Sequence, residues 1–266
     1  MRITIYTEKL PPEFQWTPTK YLGGTPEFYI ETAQELSKRH EVTVYYDGEA
    51  MEHKGVYYLP RELYEPQDVV LACNDKPPYL GKKNIYWTNK VGQKSQEYKE
   101  FDHRITLSKY HQSIFGDSVI IGHGINPEQF DGSKKIKGQC LYSSSPDRGG
   151  EFLKSIFPIP NAKLVCTYDK SISEEEMIKL YNESEFWLHP CQGVELFCIS
   201  ALKAQAAGCY PVVIPNMALA ETVVFGTKTS LENYRDDLIS AIKSHPKVKY
   251  KSPTWEEQTK KIELLF

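Results

Sequence analysis

The sequence predicts an α/β fold built on parallel sheets, and three observations predict it. Short β-branched or aromatic runs recur, starting with "RITIY" (2–6), "EVTVYY" (41–46) and "DVVLAC" (68–73). Several of these runs are apolar on both faces, as strands covered on both sides of a parallel sheet tend to be. Segments with helical spacing separate many of them, and that alternation is the mark of α/β architecture.

The bulk properties fit a folded chain. Its 266 residues are 40% hydrophobic and 25% charged, which is ordinary for a globular protein with a real core. The net charge of −3, from 35 acidic and 32 basic residues, leaves no basic block that suggests nucleic acid as a partner. None of the six cysteines forms a CxxC pair, and most lie in or beside apolar runs. They read as small buried hydrophobes in a reducing compartment. The chain runs from Met1 straight into the first strand pattern, and its longest apolar runs are far below the ~20 residues of a membrane helix. The expectation is a soluble, cytoplasmic protein, with peripheral membrane contact left open.

In chain order, the first helix is expected after "GGTP" (23–26), with Thr25 as N-cap and Pro26 at the first helical position. Tyr29, Ala33 and Leu36 then share a stripe. Strand patterns follow at "DVVLAC", "NIYWT", "RITLS" and "SVIIG". The polar stretch "NPEQFDGSKKIKG" (126–138) breaks the rhythm, and a domain boundary is placed there. Each half should carry about four to six strands. The expected domains are residues 1–130, residues 131–250, and a terminal helix over 251–266 that crosses back to the first domain. In the second half, Ser173 and Glu176 stand in capping-box relation ahead of Met177, Leu180 and Tyr181.

Three stretches could carry chemistry. "ELFCISALKAQAAG" (195–208) reads as a loop entering a helix from about Leu196 to Ala207, with Gly208 as its left-handed terminator. Glu195 at the helix mouth suits the helix dipole as a purely structural group. It also lies where α/β sheets bind ligands, with the Phe197, Cys198 and Ile199 amides as candidate phosphate donors. "YSSSPDRGGEFL" (142–153) puts Arg148 after a strand end beside two glycines, which suits a diphosphate, or else a surface turn with a solvated arginine. Gly23 and Gly24 would let a ligand oxygen approach the backbone, although paired glycines also mark simple turns. His123 and His189 fall at strand ends, where a satisfied or solvated structural role competes with ligand contact. No metal-ligand spacing occurs, and no metal requirement is expected. GxGxxG, P-loop and GxSxG patterns are absent.

Together these residues resemble the retaining GT-B glycosyltransferases of family four, over most of the chain. "GGTPEFYIETAQELSKRHEVTVYY" is similar to that family's first glycine-rich loop, helix and second strand. "ITLSKYHQSIF" followed by "VIIGHGINPEQF" resembles the end of its N-terminal domain and the interdomain connection, and "YSSSPDRGGEFL" its phosphate loop. "LYNESEFWLHPCQGVELFCISALKAQAAGCYPVV" is the most specific match, and "SPTWEEQTKKIELLF" resembles the terminal helix, anchored by Trp255. The resemblance implies a GT-B fold, two Rossmann-like domains with parallel sheets facing a central cleft. It also implies transfer of a sugar from a nucleoside diphosphate sugar to an acceptor hydroxyl, with retention and without a metal. The donor would sit mainly in the second domain, with a glycan, lipid or other acceptor on the first. By carry-over, Glu195 would hold sugar hydroxyls, Arg148 the diphosphate and the Gly24 backbone the phosphates, with Ser144 assisting.

Two positions depart from the family pattern. Lys203 stands where a second glutamate usually meets the ribose, and "YWTNK" (86–90) lacks the histidine often found after the fourth strand. The region from Gly48 to Lys83 also reads as trimmed. Lys203 could donate to ribose oxygens, add positive charge near the diphosphate, or be simply solvated. The alternatives left open are a catalytically weak or inactive nucleotide- or glycan-binding protein, and a sugar-nucleotide epimerase on the same fold.

Overall fold

The structure, a computed structural model, describes residues 1–11, 15–19, 23–132, 134–168 and 172–266. The chain divides into two compact units, Met1–Gly124 with Trp255–Phe266, and Ile125–Thr254.

The first unit begins with β1 (Arg2–Tyr6), α1 (Gly24–Ser37) and β2 (Glu41–Tyr46), a parallel crossover through one helix. It continues through β3 (Met51–His53), β4 (Val56–Pro60), β5 (Val69–Cys73) and β6 (Lys83–Trp87). β7 (His103–Thr106), α2 (Lys109–Phe115) and β8 (Val119–Ile120) follow. The strands form one sheet in the order β3-β4-β2-β1-β5-β6-β7-β8. Every pairing is parallel except that of β3 with β4. Parallel pairing needs apolar residues on both faces, and all five residues of β5 are buried.

The sheet has eight strands, more than the four to six expected. The surplus comes partly from the β3–β4 hairpin, inside the segment that reads as trimmed. A three-residue edge strand without a buried residue leaves no apolar run to find. Its turn is Lys54-Gly55, both at positive φ (49° and 75°), as two-residue hairpins favour.

The first helix also starts earlier than expected. Gly23, at φ 92°, is the N-cap and α1 opens at Gly24, so Thr25 and Pro26 are already helical. With no side chain capping the start, the Thr25 hydroxyl instead accepts a hydrogen bond from Asn89 Nδ2 at 3.0 Å. The Tyr29, Ala33 and Leu36 stripe is fully buried.

The second unit comprises β9 (Ile136–Tyr142), α3 (Gly150–Ile156), β10 (Lys163–Cys166), α4 (Glu174–Glu183) and β11 (Ser184–His189). Then come α5 (Ile199–Ala206), β12 (Tyr210–Val213), α6 (Leu219–Thr222), β13 (Thr227–Lys228) and α7 (Tyr234–Lys243). Its five strands are all parallel, in the order β10-β9-β11-β12-β13. Alternate residues serve opposite layers. Cys140, Phe186, Leu188 and Val212 pack with Leu153, Tyr234 and Leu238, whereas Leu141, Trp187 and Val213 pack with Ala201, Leu202 and Ala204. The Ser173–Glu176 capping box forms as the sequence predicts. All six cysteines are free thiols, four of them buried.

The terminal helix α8 (Trp255–Glu263) belongs to the first unit. Trp255, 2% exposed, lies 6.3 Å from the Phe28 ring and 5.9 Å from that of His123. At the other end of α8, Glu263 accepts from Arg39 Nε at 2.8 Å and contacts His40 Nε2 at 2.7 Å. No helix among the described residues is long and apolar enough to cross a membrane.

Candidate active site in the second unit

β9 and β11 are neighbouring parallel strands, so their carboxyl ends open side by side. That adjacency brings together two residues 47 apart in sequence. After Tyr142, the chain turns through Ser143–Ser145 into a single 3-10 turn, Pro146–Arg148, before α3. Gly149 sits at φ 106°, and a Cβ there would come within 2.7 Å of Pro190 Cγ and 3.0 Å of the Pro190 carbonyl. Only glycine lets the loop after β9 lie this close to the loop after β11.

Across that contact, Arg148 Nη1 donates to Glu195 Oε2. Glu195 is 8% exposed, and its other oxygen accepts from the Phe197 amide at 3.4 Å. The loop is fastened from behind by Ala218 N donating to the Glu195 carbonyl at 3.2 Å and by Asn216 Nδ2 donating to the Cys191 carbonyl at 3.3 Å. Burial of the arginine works against its charge, and the Glu195 carboxylate beside it keeps its pKa above the ordinary value.

α5 begins at Ile199, three residues later than the Leu196 start read from sequence. The N-cap is Cys198, at φ 68° and ψ 77° in the left-handed region, which ends the loop abruptly. "ELFC" has nothing to mark this break, because leucine and phenylalanine are acceptable in a helix. Glu195 therefore stands in the loop ahead of α5. Of the three amides expected as phosphate donors, that of Phe197 is engaged by Glu195 in the free protein, and only Ile199 lies within the helix. Gly208, at φ 74°, follows the helix as expected.

His189 is the residue that sequence reasoning undervalued. It closes β11, is 1% exposed, and stacks on Trp187 with ring centroids 5.0 Å apart and planes at 9°. Neither ring nitrogen has a hydrogen-bond partner among the described residues, and Nε2 lies 3.9 Å from Glu195 Oε2. Burial, then the neighbouring Arg148 charge, pushes its pKa down to about 3, so the ring is neutral at neutral pH. A buried imidazole with both nitrogens open is costly, and the structural role weighed for it in the sequence would satisfy it. The sequence signal was available, in a polar residue at a strand end one position before a proline.

His189, Glu195 and Cys198 place one ligand atom each within 4.8 Å of one another. The set is a poor cation site, because the Arg148 guanidinium already neutralises its only carboxylate. Burial and the nearby Glu195 charge also drive the Cys198 thiol well above its ordinary pKa, whereas a metal ligand must be a thiolate.

A second polar group lies at the same strand ends. Ser143 Oγ is 2.8 Å from the Tyr181 hydroxyl and accepts from Trp187 Nε1 at 3.1 Å. Burial raises the Tyr181 pKa, while the positive charge of half-buried Lys203 lowers it, so the lysine ammonium is near the phenol. Ser144 is half-buried and hydrogen-bonds the Tyr142 side chain. The structure thus brings Arg148, Glu195, His189 and Cys198 into one group, with Phe197 and Ile199 adjoining. Lys203 gathers with Tyr181. Gly24 is in the first unit, as the first residue of α1.

No family model matches the chain, and no curated protein matches it. Solved structures do. HepE of Anabaena, in complex with UDP-glucose, superposes with a TM-score of 0.67 at 12% identity over 98% of this chain and 94% of that one. Sucrose-phosphate synthase from Thermosynechococcus elongatus gives 0.65 at 12% identity, covering 100% and 98%. WaaG, a glycosyltransferase involved in lipopolysaccharide biosynthesis, gives 0.63 at 14% identity, covering 98% and 93%. The chain accordingly has the GT-B fold of glycosyltransferases, and identities this low speak for the fold alone.

Proposed function

We propose that the protein is a retaining glycosyltransferase of the family-four type. It would move a sugar, as a hexosyltransferase does, from a nucleoside diphosphate sugar to an acceptor hydroxyl, without a metal and in the cytoplasm. The observation that carries this reading is the Arg148–Glu195 pair at the carboxyl ends of β9 and β11. A cation and a carboxylate side by side match a ligand that presents a diphosphate next to hydroxyls. The Anabaena structure with UDP-glucose supports the same class of donor.

On donor binding, the diphosphate takes the Arg148 guanidinium and the sugar hydroxyls take Glu195, so each ion exchanges one partner for another. The neutral His189 ring offers one donor and one acceptor to the same ligand. As the sugar–phosphate bond breaks, negative charge grows on the departing diphosphate. Arg148, the Lys203 ammonium and the amides at the start of α5 neutralise it where it develops. The Ser144 hydroxyl serves as a further phosphate contact.

A second reading is favoured by Lys203. A lysine beside Tyr181, in place of a ribose-binding carboxylate, suits a protein that binds a nucleotide or glycan with little turnover. Thermal shift with nucleoside diphosphates and their sugars, with magnesium and with EDTA, tests the donor assignment. A ligand at ~100 times its dissociation constant stabilises the fold by about 2.7 kcal/mol. A magnesium-independent shift that is lost in Arg148→Ala is expected, and released nucleotide then separates transfer from binding. No shift with any nucleoside diphosphate sinks the proposal.

A further inference from the structure

The second unit has a further cleft, at the opposite end of its sheet from the Arg148–Glu195 pair. Its strands are all parallel, so their amino ends share one edge. Lys137 is the second residue of β9, Lys163 opens β10 and Glu185 is the second residue of β11. With Lys243, the last residue of α7, they line a cleft of about 640 Å³, within the size range of small-molecule sites.

The backbone is shaped around this cleft. Between the pairs Ile136–Ser184 and Cys140–Phe186, three residues of β9 stand opposite Glu185 alone. Such a bulge interrupts the ladder and re-aims side chains. Gly138, in the middle of it, has φ 75°, and a Cβ there would fall 1.9 Å from the Asn161 carbonyl oxygen. Asn161 is itself held at φ 59°, in the left-handed region that costs a non-glycine residue energy. Bulge and turn are pressed together, and Lys137 shares a cleft with Lys163 as a result.

The charges in the cleft do not balance. Its one carboxylate, Glu185, is occupied, because Oε2 accepts from the Gly138 amide and Oε1 lies 3.7 Å from His245 Nε2. The three lysine side chains form no ion pair and no hydrogen bond among the described residues. Three ammonium groups against one carboxylate leave two positive charges, in a chain whose net charge is −3. A lysine on an edge strand guards it against pairing with another chain, and a lysine in the last turn of a helix suits the dipole. Those roles account for Lys163 and Lys243 singly. Neither accounts for a bulge that delivers a third lysine to the same cleft.

Two positive charges match a phosphomonoester or a diphosphate, whose oxygens accept from ammonium groups. The exposed Asn161 amide stands beside them, and half-buried Ala162 and Ile242 add an apolar lining for the rest of a ligand. We propose that Lys137, Lys163 and Lys243 form a binding site for the phosphate group of a phosphorylated molecule. The site is separate from the donor site and does not rest on the transfer reading.

The experiment is an amide NMR titration of the full chain with pyrophosphate, inorganic phosphate and β-glycerophosphate, with glycerol as the uncharged control. At least one phosphate should shift the Gly138, Asn161 and Ala162 amides, while glycerol leaves them in place. Its dissociation constant should rise about fivefold for each lysine replaced, through Lys137→Gln, Lys163→Gln and Lys243→Gln. All three are exposed, so the changes leave the core intact. Soluble esters and lipid headgroups both present a phosphate, and a second arm separates them with vesicles of phosphatidylcholine and phosphatidic acid. Vesicle binding that is lost in the triple variant, without amide shifts from the soluble phosphates, would assign the group to a headgroup. Shifts confined to the Phe197 and Ile199 amides would leave phosphate binding to the donor site alone and overturn the proposal. So would shifts that persist in the triple variant, or the absence of both amide shifts and lysine-dependent vesicle binding.

Discussion

Replacing Glu195 with glutamine should have opposite effects on nucleotide affinity and on turnover. In the free protein the Glu195 carboxylate occupies Arg148, and a nucleoside diphosphate must take that guanidinium away from it. The glutamine keeps the side-chain volume and the oxygen that accepts from the Phe197 amide, but removes the charge that holds Arg148. The Arg148 side chain is 37% exposed and that of Glu195 only 10%. Solvent screening therefore limits the pair to about 1 kcal/mol, the upper end for surface pairs. Releasing it should tighten binding of a nucleoside diphosphate about fivefold. Turnover moves the other way, because a charged acceptor for the sugar hydroxyls is lost, and kcat/KM should fall by at least about tenfold. Isothermal titration of uridine diphosphate against both proteins gives the first quantity and nucleotide release the second. Weaker nucleotide binding in Glu195→Gln would refute the competition between carboxylate and diphosphate for Arg148.

Three further outcomes are expected. His189 and His111 have pKa values lowered to about 3 and about 4, chiefly by burial. Because the folded values lie below the unfolded value of about 6.5, the stability they contribute is present above that pH and is lost on acidification. Each should cost about 2 kcal/mol between pH 7 and pH 5, and His189→Gln should remove about half of the combined loss in urea midpoints; an unchanged loss would count against neutral burial of His189. Gly149→Ala combines a positive φ with a Cβ 2.7 Å from Pro190 and should destabilise by about 2 kcal/mol or more while weakening nucleotide binding. Normal melting and normal affinity in that variant would show that the two loops do not need their close contact. Ser173→Ala removes a capping box and should cost about 1 kcal/mol in chemical denaturation with nucleotide affinity intact.

The strands that were legible in the sequence are those whose apolar residues serve two faces, because burial leaves a composition that can be read directly. β3 and β13 were not legible, since a two- or three-residue edge strand is held by backbone pairing and carries no such signature. Glu195 and Arg148 could be singled out separately from local patterns. Their contact could not, because it depends on β9 lying next to β11, a tertiary fact. The late start of α5 was hidden for a different reason. Cys198 adopts a left-handed conformation that its residue type does not advertise, and tertiary packing overrides local preference there. His189 lay in plain view at a strand end, but its open nitrogens are a property of surroundings assembled from Trp187, Tyr142 and Glu195.

The return of α8 to the first unit has a consequence for how the molecule is made. The first unit is discontinuous in the chain, since Trp255–Phe266 complete what Met1–Gly124 begin. During synthesis, the Phe28 and His123 rings emerge more than a hundred residues before the Trp255 indole that covers them. The second unit, a single uninterrupted stretch, can finish its core first, which reverses the usual order in which the N-terminal part folds ahead. Until the last helix clears the ribosome, the earliest part of the protein is the part that remains unsealed.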